Sequence, residues 1–376
     1  MMKKLLCLLL AAALIAAACT PQTPDEPAGG EPPVIISPTA DYDPEHNAEN
    51  NGSADPLENP DELANFVSEP IVLGEGTEWA VDGILTMPLI PGERVPAVVL
   101  VHGSGAHDMD ETIFENKPFR DIAEYLSNNG IAVLRYDMRT FTHGQKMLDE
   151  LGGSLTVWHE KIEDAIFAAE LLRADPRIYS DKIFMLGHSM GGMLAPQIHE
   201  MGGDFAGLII FAGSPRFLLD ISKDQNIAFL EDMYEGEELE TRITQFERLW
   251  DLQIGALMNL SDEEAKETEF EAGIHVYYFK DMYNNPSAKF IENIMVPFLV
   301  MHPENDMQVC AEKDFGLYRE LLAGRDNVTF KLYEDLNHLF MPGEKTAITE
   351  LMEQYEIPGN VDSQVLADIA EWIHAS

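Results

Sequence analysis

The apolar residues of this chain fall into short dense runs separated by stretches of helical periodicity. Residues 96–101 (PAVVLV), 131–136 (IAVLRY), 182–186 (KIFML), 205–212, 296–301 and 328–333 are brief and nearly all apolar, as strands covered on both faces must be. Residues 71–76 and 79–87 flank Gly-Glu-Gly and predict a hairpin at a sheet edge. Between the runs, residues 119–129, 157–174, 190–200, 311–322 and 361–374 predict helices. Gly130 stops the first of these, and Ile162, Ala165, Ile166, Ala169 and Leu172 form the buried stripe of the second. Strands that alternate with helices make a doubly wound, mostly parallel α/β sheet. The alternation lapses over about 215–293. There Ile243, Phe246, Trp250, Ile254 and Leu257 mark a helical insertion, placed either over a substrate pocket or simply packed on the domain.

The N-terminal pattern differs. Lys3 and Lys4, an apolar run over 5–15 and Ala16-Ala17-Ala18 before Cys19 predict a signal peptide over 1–18, its apolar run too short to span a membrane comfortably. A cysteine just after that site resembles a bacterial lipoprotein signal, in which Cys19 is lipidated, although Ala16 stands where leucine is usual. Ordinary secretory cleavage at the same place stays open, and either route exports the protein as an envelope lipoprotein or a secreted one. Residues 19–65 are rich in Pro, Asp, Glu and Asn and lack Lys and Arg, so they cannot bury a core and read as a tether. The folded domain is placed at 66–376.

Composition changes the picture in two respects. A net charge of −42, from 24 basic and 66 acidic residues, repels phosphate backbones and excludes nucleic acid as a partner. The expected membrane contact is limited to a lipid at Cys19. Of three cysteines, Cys7 leaves with the signal and Cys19 is the modification site. Cys310 remains alone, a packed thiol rather than a nucleophile.

Chemistry concentrates at strand ends. Gly187-His-Ser-Met-Gly191 lies between the strand ending at Leu186 and the helix starting near Met190, the context in which G-x-S-x-G presents a serine on a sharp turn. Ser189 is therefore the candidate nucleophile. A serine hydroxyl needs a base, and in this chain order the acid follows the serine and the histidine comes last. His338, in the loop after 328–333, is the candidate base, and Asp306, after 296–301, the carboxylate that orients it. Glu304 and Asp335 are rival carboxylates. The backbone amides of Met190 and of Ser104, in His102-Gly-Ser-Gly105, are the candidate oxyanion donors.

From residue 88 to 374 the chain resembles an α/β-hydrolase. Within that superfamily, VHGSGAHDMDETIFENKPFRDIAEYLSNNGIAVLRYDMRT (101–140) is similar to bacterial serine carboxylesterases. The resemblance implies hydrolysis of short- to medium-chain carboxylic esters through an acyl-enzyme, without a cofactor, and the roles just given to Ser189, Asp306, His338, Ser104 and Met190. It departs in one place: some relatives carry a folded N-terminal domain where this chain has the tether. It also makes the insertion a lid, for which Met233, Tyr234, Trp250 or Met258 could line an acyl pocket. His102 and His188 read as loop-orienting residues rather than metal ligands; no metal is expected. His143 and His159, near an Arg139 loop, read as surface residues, and Asp108, Asp110 and Glu111 as solvated rather than catalytic. The rivals to an esterase are a thioesterase, acyltransferase or peptidase with the same triad, and an envelope binding lipoprotein.

Overall fold

The runs at 96–101 and 131–136 lie side by side in an eight-stranded sheet, in a computed structural model that describes residues 65–376. The expected signal peptide, Cys19 and the tether up to residue 64 lie outside the described residues. The strands are β1 (Phe66–Leu73), β2 (Val81–Pro88), β3 (Val95–Val101), β4 (Ala132–Tyr136), β5 (Ile178–His188) and β6 (Leu208–Phe211). A separate two-stranded ribbon follows, β7 (Glu269–Glu271) with β8 (Ile274–His275), before β9 (Phe298–Pro303) and β10 (Val328–Tyr333) return to the main sheet. Across the main sheet the order is β1-β2-β4-β3-β5-β6-β9-β10. β1–β2 and β2–β4 pair antiparallel, the expected edge hairpin, and the other neighbours pair parallel.

The unbroken apolar runs follow from two covered faces. Along β3, Val95, Ala97, Val99 and Val101 enter one core with helices Glu163–Ala174 and Met190–Ile198, while Val98 and Leu100 enter the other. That second core is closed by helices Pro118–Asn128 and Ser363–Ala375. Side chains alternate across a strand, so a strand buried on both sides shows no polar positions. Loops at the carboxyl ends of β3, β5, β9 and β10 consequently converge outside the sheet, where open α/β sheets place their ligands.

Local features differ from the sequence expectation in several places. The Arg139 loop is a helix, Arg139–Leu151, broken at His143 by non-helical backbone, and its polar run hides the period. The expected helix over 157–174 opens with a π-helical turn, Trp158–Ile162, before Glu163–Ala174. The segment between β6 and β9 holds helices Leu218–Met233, Gly236–Met258, Asp262–Glu267, Val276–Asn284 and Ser287–Ile291, together with the β7–β8 ribbon.

Candidate active site

Ser189 sits between the end of β5 and helix Met190–Ile198 with φ 50° and ψ −114°, a conformation that non-glycine residues rarely adopt and that strains the backbone. Sterics explain the glycines around it. A Cβ on Gly187 would lie 2.3 Å from the Gly191 carbonyl oxygen, and one on Gly191 would lie 2.2 Å from that of Val101. Backbone hydrogen bonds lock the turn: Ser189 N–H donates to Phe211 O at 2.8 Å, and Met193 N–H donates to Ser189 O at 3.0 Å. The Met190 amide is the first of the helix and has no intrahelical acceptor, so it is open to an anion at the dipole's positive end.

β9 and β10 deliver the other two groups. His338 and Asp306 are both buried, and His338 Nδ1 lies 2.6 Å from Asp306 Oδ2. The second Asp306 oxygen accepts from the amides of Gln308 (2.8 Å) and Val309 (2.9 Å). Burial alone would raise the Asp306 carboxyl, but His338, His302 and the Val309 amide outweigh it and hold the carboxyl below its usual range. An ionised Asp306 fixes the proton on Nδ1 and leaves Nε2 as the lone-pair nitrogen. The rivals do not compete: Glu304 and Asp335 are exposed. Ser189, Met190, Ser104 and His338 line one cleft of about 110 Å³, with Met193, Leu218, Ile221, Val309, Leu351 and Tyr355 among its apolar wall.

The cleft is floored by a buried charged pair, in which His188 orients loops as expected and Glu111 takes a part that its sequence context does not announce. Glu111 is not solvated but buried. Its Oε1 accepts from Gly103 N–H at 2.7 Å, and its Oε2 lies 2.9 Å from His188 Nδ1. The other His188 nitrogen donates to the His338 carbonyl at 3.1 Å. Burial opposes charge on both groups, yet each offsets it for the other: Glu111 is held down to about 2 and His188 is raised above its ordinary value. One ion pair therefore ties the β3 loop, the serine turn and the His338 loop together. The histidines beside it stay neutral, because burial pushes His102 down to about 3 and His107 downward as well. Nothing in the spacing of Glu111 marks this role; a Glu 77 positions from His188 meets it only through the sheet.

The neighbouring acids are also partnered rather than solvated. Asp110 pairs with Arg135 at 2.8 Å, and Asp108 accepts from the amide and hydroxyl of Thr112. His143 and His159 are half-buried, and His143 bonds the Ala80 carbonyl. Met233, Tyr234, Trp250 and Met258 do not line the cleft: Met233 is exposed, while Trp250 and Met258 belong to the packed core. The insertion contributes Leu218, Ile221 and Gln225 instead, from its first helix, and residues 351–355 close the other side. Cys310 is a free, half-buried thiol.

A doubly wound sheet with a strained serine turn at one strand end, and a histidine–aspartate pair at two others, defines a hydrolase scaffold. Comparison with known proteins agrees. The profile of the alpha/beta hydrolase family matches residues 98–347, and the chain belongs to that family. It is 36% identical over 292 residues to Esterase EstD of Thermotoga maritima, covering 77% of this chain and 65% of that protein. It is 23% identical over 197 residues to the "Uncharacterized peptidase YtmA" of Bacillus subtilis, covering 52% of this chain and 63% of the relative. The chain thus spans just under two thirds of the length of both. Among solved structures, a Mycobacterium tuberculosis puromycin-hydrolyzing peptidase superposes with a TM-score of 0.50 at 16% identity, over 85% of this chain and 41% of that one, a likeness of fold alone.

Proposed function

We propose that this protein is a serine carboxylesterase acting on short- to medium-chain esters through an acyl-enzyme. The observation that carries the reading is that the strained Ser189 turn and His338, whose Nδ1 is hydrogen-bonded to the buried Asp306, line one cleft. His338 Nε2 would take the Ser189 proton as Oγ attacks the ester carbonyl, with Asp306 stabilising the imidazolium that forms. The tetrahedral oxyanion would be met by the Met190 and Ser104 amides, each such donor being worth on the order of 10²–10³ in rate. Collapse expels the alcohol, which takes the proton from His338; water then repeats the cycle on the acyl-enzyme.

The substrate range follows from the wall. A cleft of about 110 Å³ closed by Leu218, Ile221 and Tyr355 has apolar room for a short acyl chain, and no lysine or arginine lines it to prefer an acid. The first helix of the insertion, with residues 351–355 opposite it, acts in this reading as a lid that excludes water. The test is p-nitrophenol release from acetate, butyrate, octanoate and palmitate esters by the full chain. Turnover should be highest on acetate and butyrate, weak on palmitate, and reduced by at least about 10³ in Ser189→Ala. Undiminished turnover in Ser189→Ala would remove the serine from the mechanism. A folded wild type inert to all four esters would favour a peptidase or a binding protein.

A further inference from the structure

Gly103 is the residue that brings the β3 loop against the nucleophile: a Cβ placed on it would lie 3.1 Å from the Ser189 Cβ. Both of its polar backbone atoms are held by buried charged side chains. Its N–H donates to Glu111, and its carbonyl oxygen accepts from Lys161 Nζ at 2.7 Å. The second contact acts one residue further on. A peptide unit is planar and trans, so the Gly103 carbonyl and the Ser104 N–H belong to one rigid plane and point in opposite directions. Whatever fixes that carbonyl aims the Ser104 amide.

Lys161 is an unusual residue to find there. Its side chain is 2% exposed, and it arrives from the π-helical turn Trp158–Ile162, in which Glu160, Lys161 and Ile162 are all buried in succession. Wide turns of this kind are enriched at functional sites. Its remaining partners are Glu160 Oε1 at 3.2 Å and the Met138 sulfur at 3.6 Å. Glu160 in turn accepts from the Tyr278 hydroxyl on helix Val276–Asn284 of the insertion. Burying an ammonium is costly unless its partners offset the lost hydration, so an apolar side chain would fill this space more favourably. The charge does something an apolar group cannot: a cation on a carbonyl oxygen polarises the amide and strengthens its N–H as a donor.

We propose that Lys161 is a positioning residue for the oxyanion site. It anchors the Gly103 carbonyl so that the Ser104 N–H is aimed at, and strengthened toward, the oxygen that becomes negative in the transition state. The proposal rests on the assignment of Ser104 as an oxyanion donor, and through the Glu160–Tyr278 link it makes the insertion part of that support.

The test compares wild type with Lys161→Met, Lys161→Gln and Lys161→Arg in the full chain. Three readouts are used: kcat and KM for p-nitrophenyl acetate, inhibition by a trifluoromethyl ketone that adds to the serine, and the rate of Ser189 phosphonylation by a fluorophosphonate. In that last reaction a Ser189 O–P bond forms, fluoride leaves and the serine proton passes to His338, with the phosphoryl oxygen in the same oxyanion site. Loss of the cation should lower kcat about 10- to 100-fold with KM within about twofold, since the contact matters only when charge develops. The ketone's inhibition constant should rise by the same factor as kcat/KM falls, and Arg should restore part of both. A lysine that merely stabilised the fold would lower the melting temperature and leave kcat unchanged in the folded fraction, and that result overturns the proposal. So does a rise in KM with kcat intact. Gln stands in if Met does not fold. If wild type hydrolyses no ester yet Ser189 is phosphonylated, the esterase reading fails alone and the Lys161 variants are judged on the phosphonylation rate. If Ser189 is also inert, both fail together.

Discussion

Two regions meet at the cleft and are built on different rules. The strand-end cluster, comprising Ser189, the 102–105 loop, Glu111, His188, Asp306 and His338, is held by backbone contacts and buried hydrogen bonds that leave almost no freedom. The wall contributed by helix Leu218–Met233 and residues 351–355 is held by side-chain packing, and the helix is joined to the adjoining segment by Asp232 accepting from the Thr349 amide at 3.1 Å. In the proposed reaction the first region would fix where charge develops and the second what fits, and side-chain packing can be remodelled where backbone contacts cannot.

Glycine separates the two regions most sharply. In Gly191→Ala the new methyl would meet two backbone carbonyl oxygens, at 2.2 and 2.7 Å, neither of which can move without shifting β3 or its loop. We expect loss of essentially all activity and a destabilisation beyond about 4 kcal/mol, in the range that single substitutions seldom reach. In the insertion, Gly255 lies within helix Gly236–Met258 with nothing within 4 Å of where a methyl would stand, so Gly255→Ala should stabilise by about 0.5–1 kcal/mol and leave kcat unchanged. Denaturant titration with activity on p-nitrophenyl acetate reads both. An active Gly191→Ala would show that the turn is looser than its contacts imply.

A second pair tests the wall itself. Ile221 and Trp250 are both buried in the insertion, but only Ile221 lines the cleft. Trp250→Ala should cost about 3–5 kcal/mol and Ile221→Ala about 2–4 kcal/mol, the latter limited by collapse of the cleft onto the gap. The acyl-chain profile should distinguish them, moving toward octanoate in Ile221→Ala and staying put in Trp250→Ala. A profile that moves in both, or in neither, would remove helix Leu218–Met233 as the acyl wall.

The same division governs what the sequence alone discloses. The strands, the serine turn and the loops that carry Asp306 and His338 are legible because each is written in a short window: an apolar run, a glycine two residues away, a loop just past a strand; the order of the strands across the sheet is not. The fold and family those windows implied are the ones found. Glu111, Lys161 and Gln225 are not legible, since each acquires its partners from distant parts of the chain through the fold. A buried Glu in HDMDE looks like any solvated acid until His188 is placed beside it. The stripe of Phe246, Trp250 and Leu257 is legible as buried, but periodicity does not say against what, and it packs into the core rather than around the cleft.

Proton uptake separates the site from its surroundings by the smallest margin. Glu111 and Asp306 have depressed folded values, so the stability they contribute is present above the ordinary carboxylate range and lost only as pH falls through their lowered values. Over the neutral range they add no slope. Asp121 and Asp137, outside the proposed triad, behave in the opposite sense: burial raises each to about 6, so the folded chain holds their protons longer than the unfolded chain does. Stability therefore falls as pH rises from about 4 to about 6 and stays lower above it. His188, raised by Glu111, adds a further loss as pH climbs through its elevated value. The melting temperature should be higher at about pH 5 than at about pH 8 by a few degrees, roughly what one or two kcal/mol produce in a domain of this size. Asp137→Asn, which retains an acceptor for the Met109 amide, should flatten the part of that slope on either side of about pH 6. Calorimetry across this range decides the matter, and a melting temperature that rises toward the alkaline end, or a slope that Asp137→Asn leaves intact, would place the responsible protons elsewhere in the molecule.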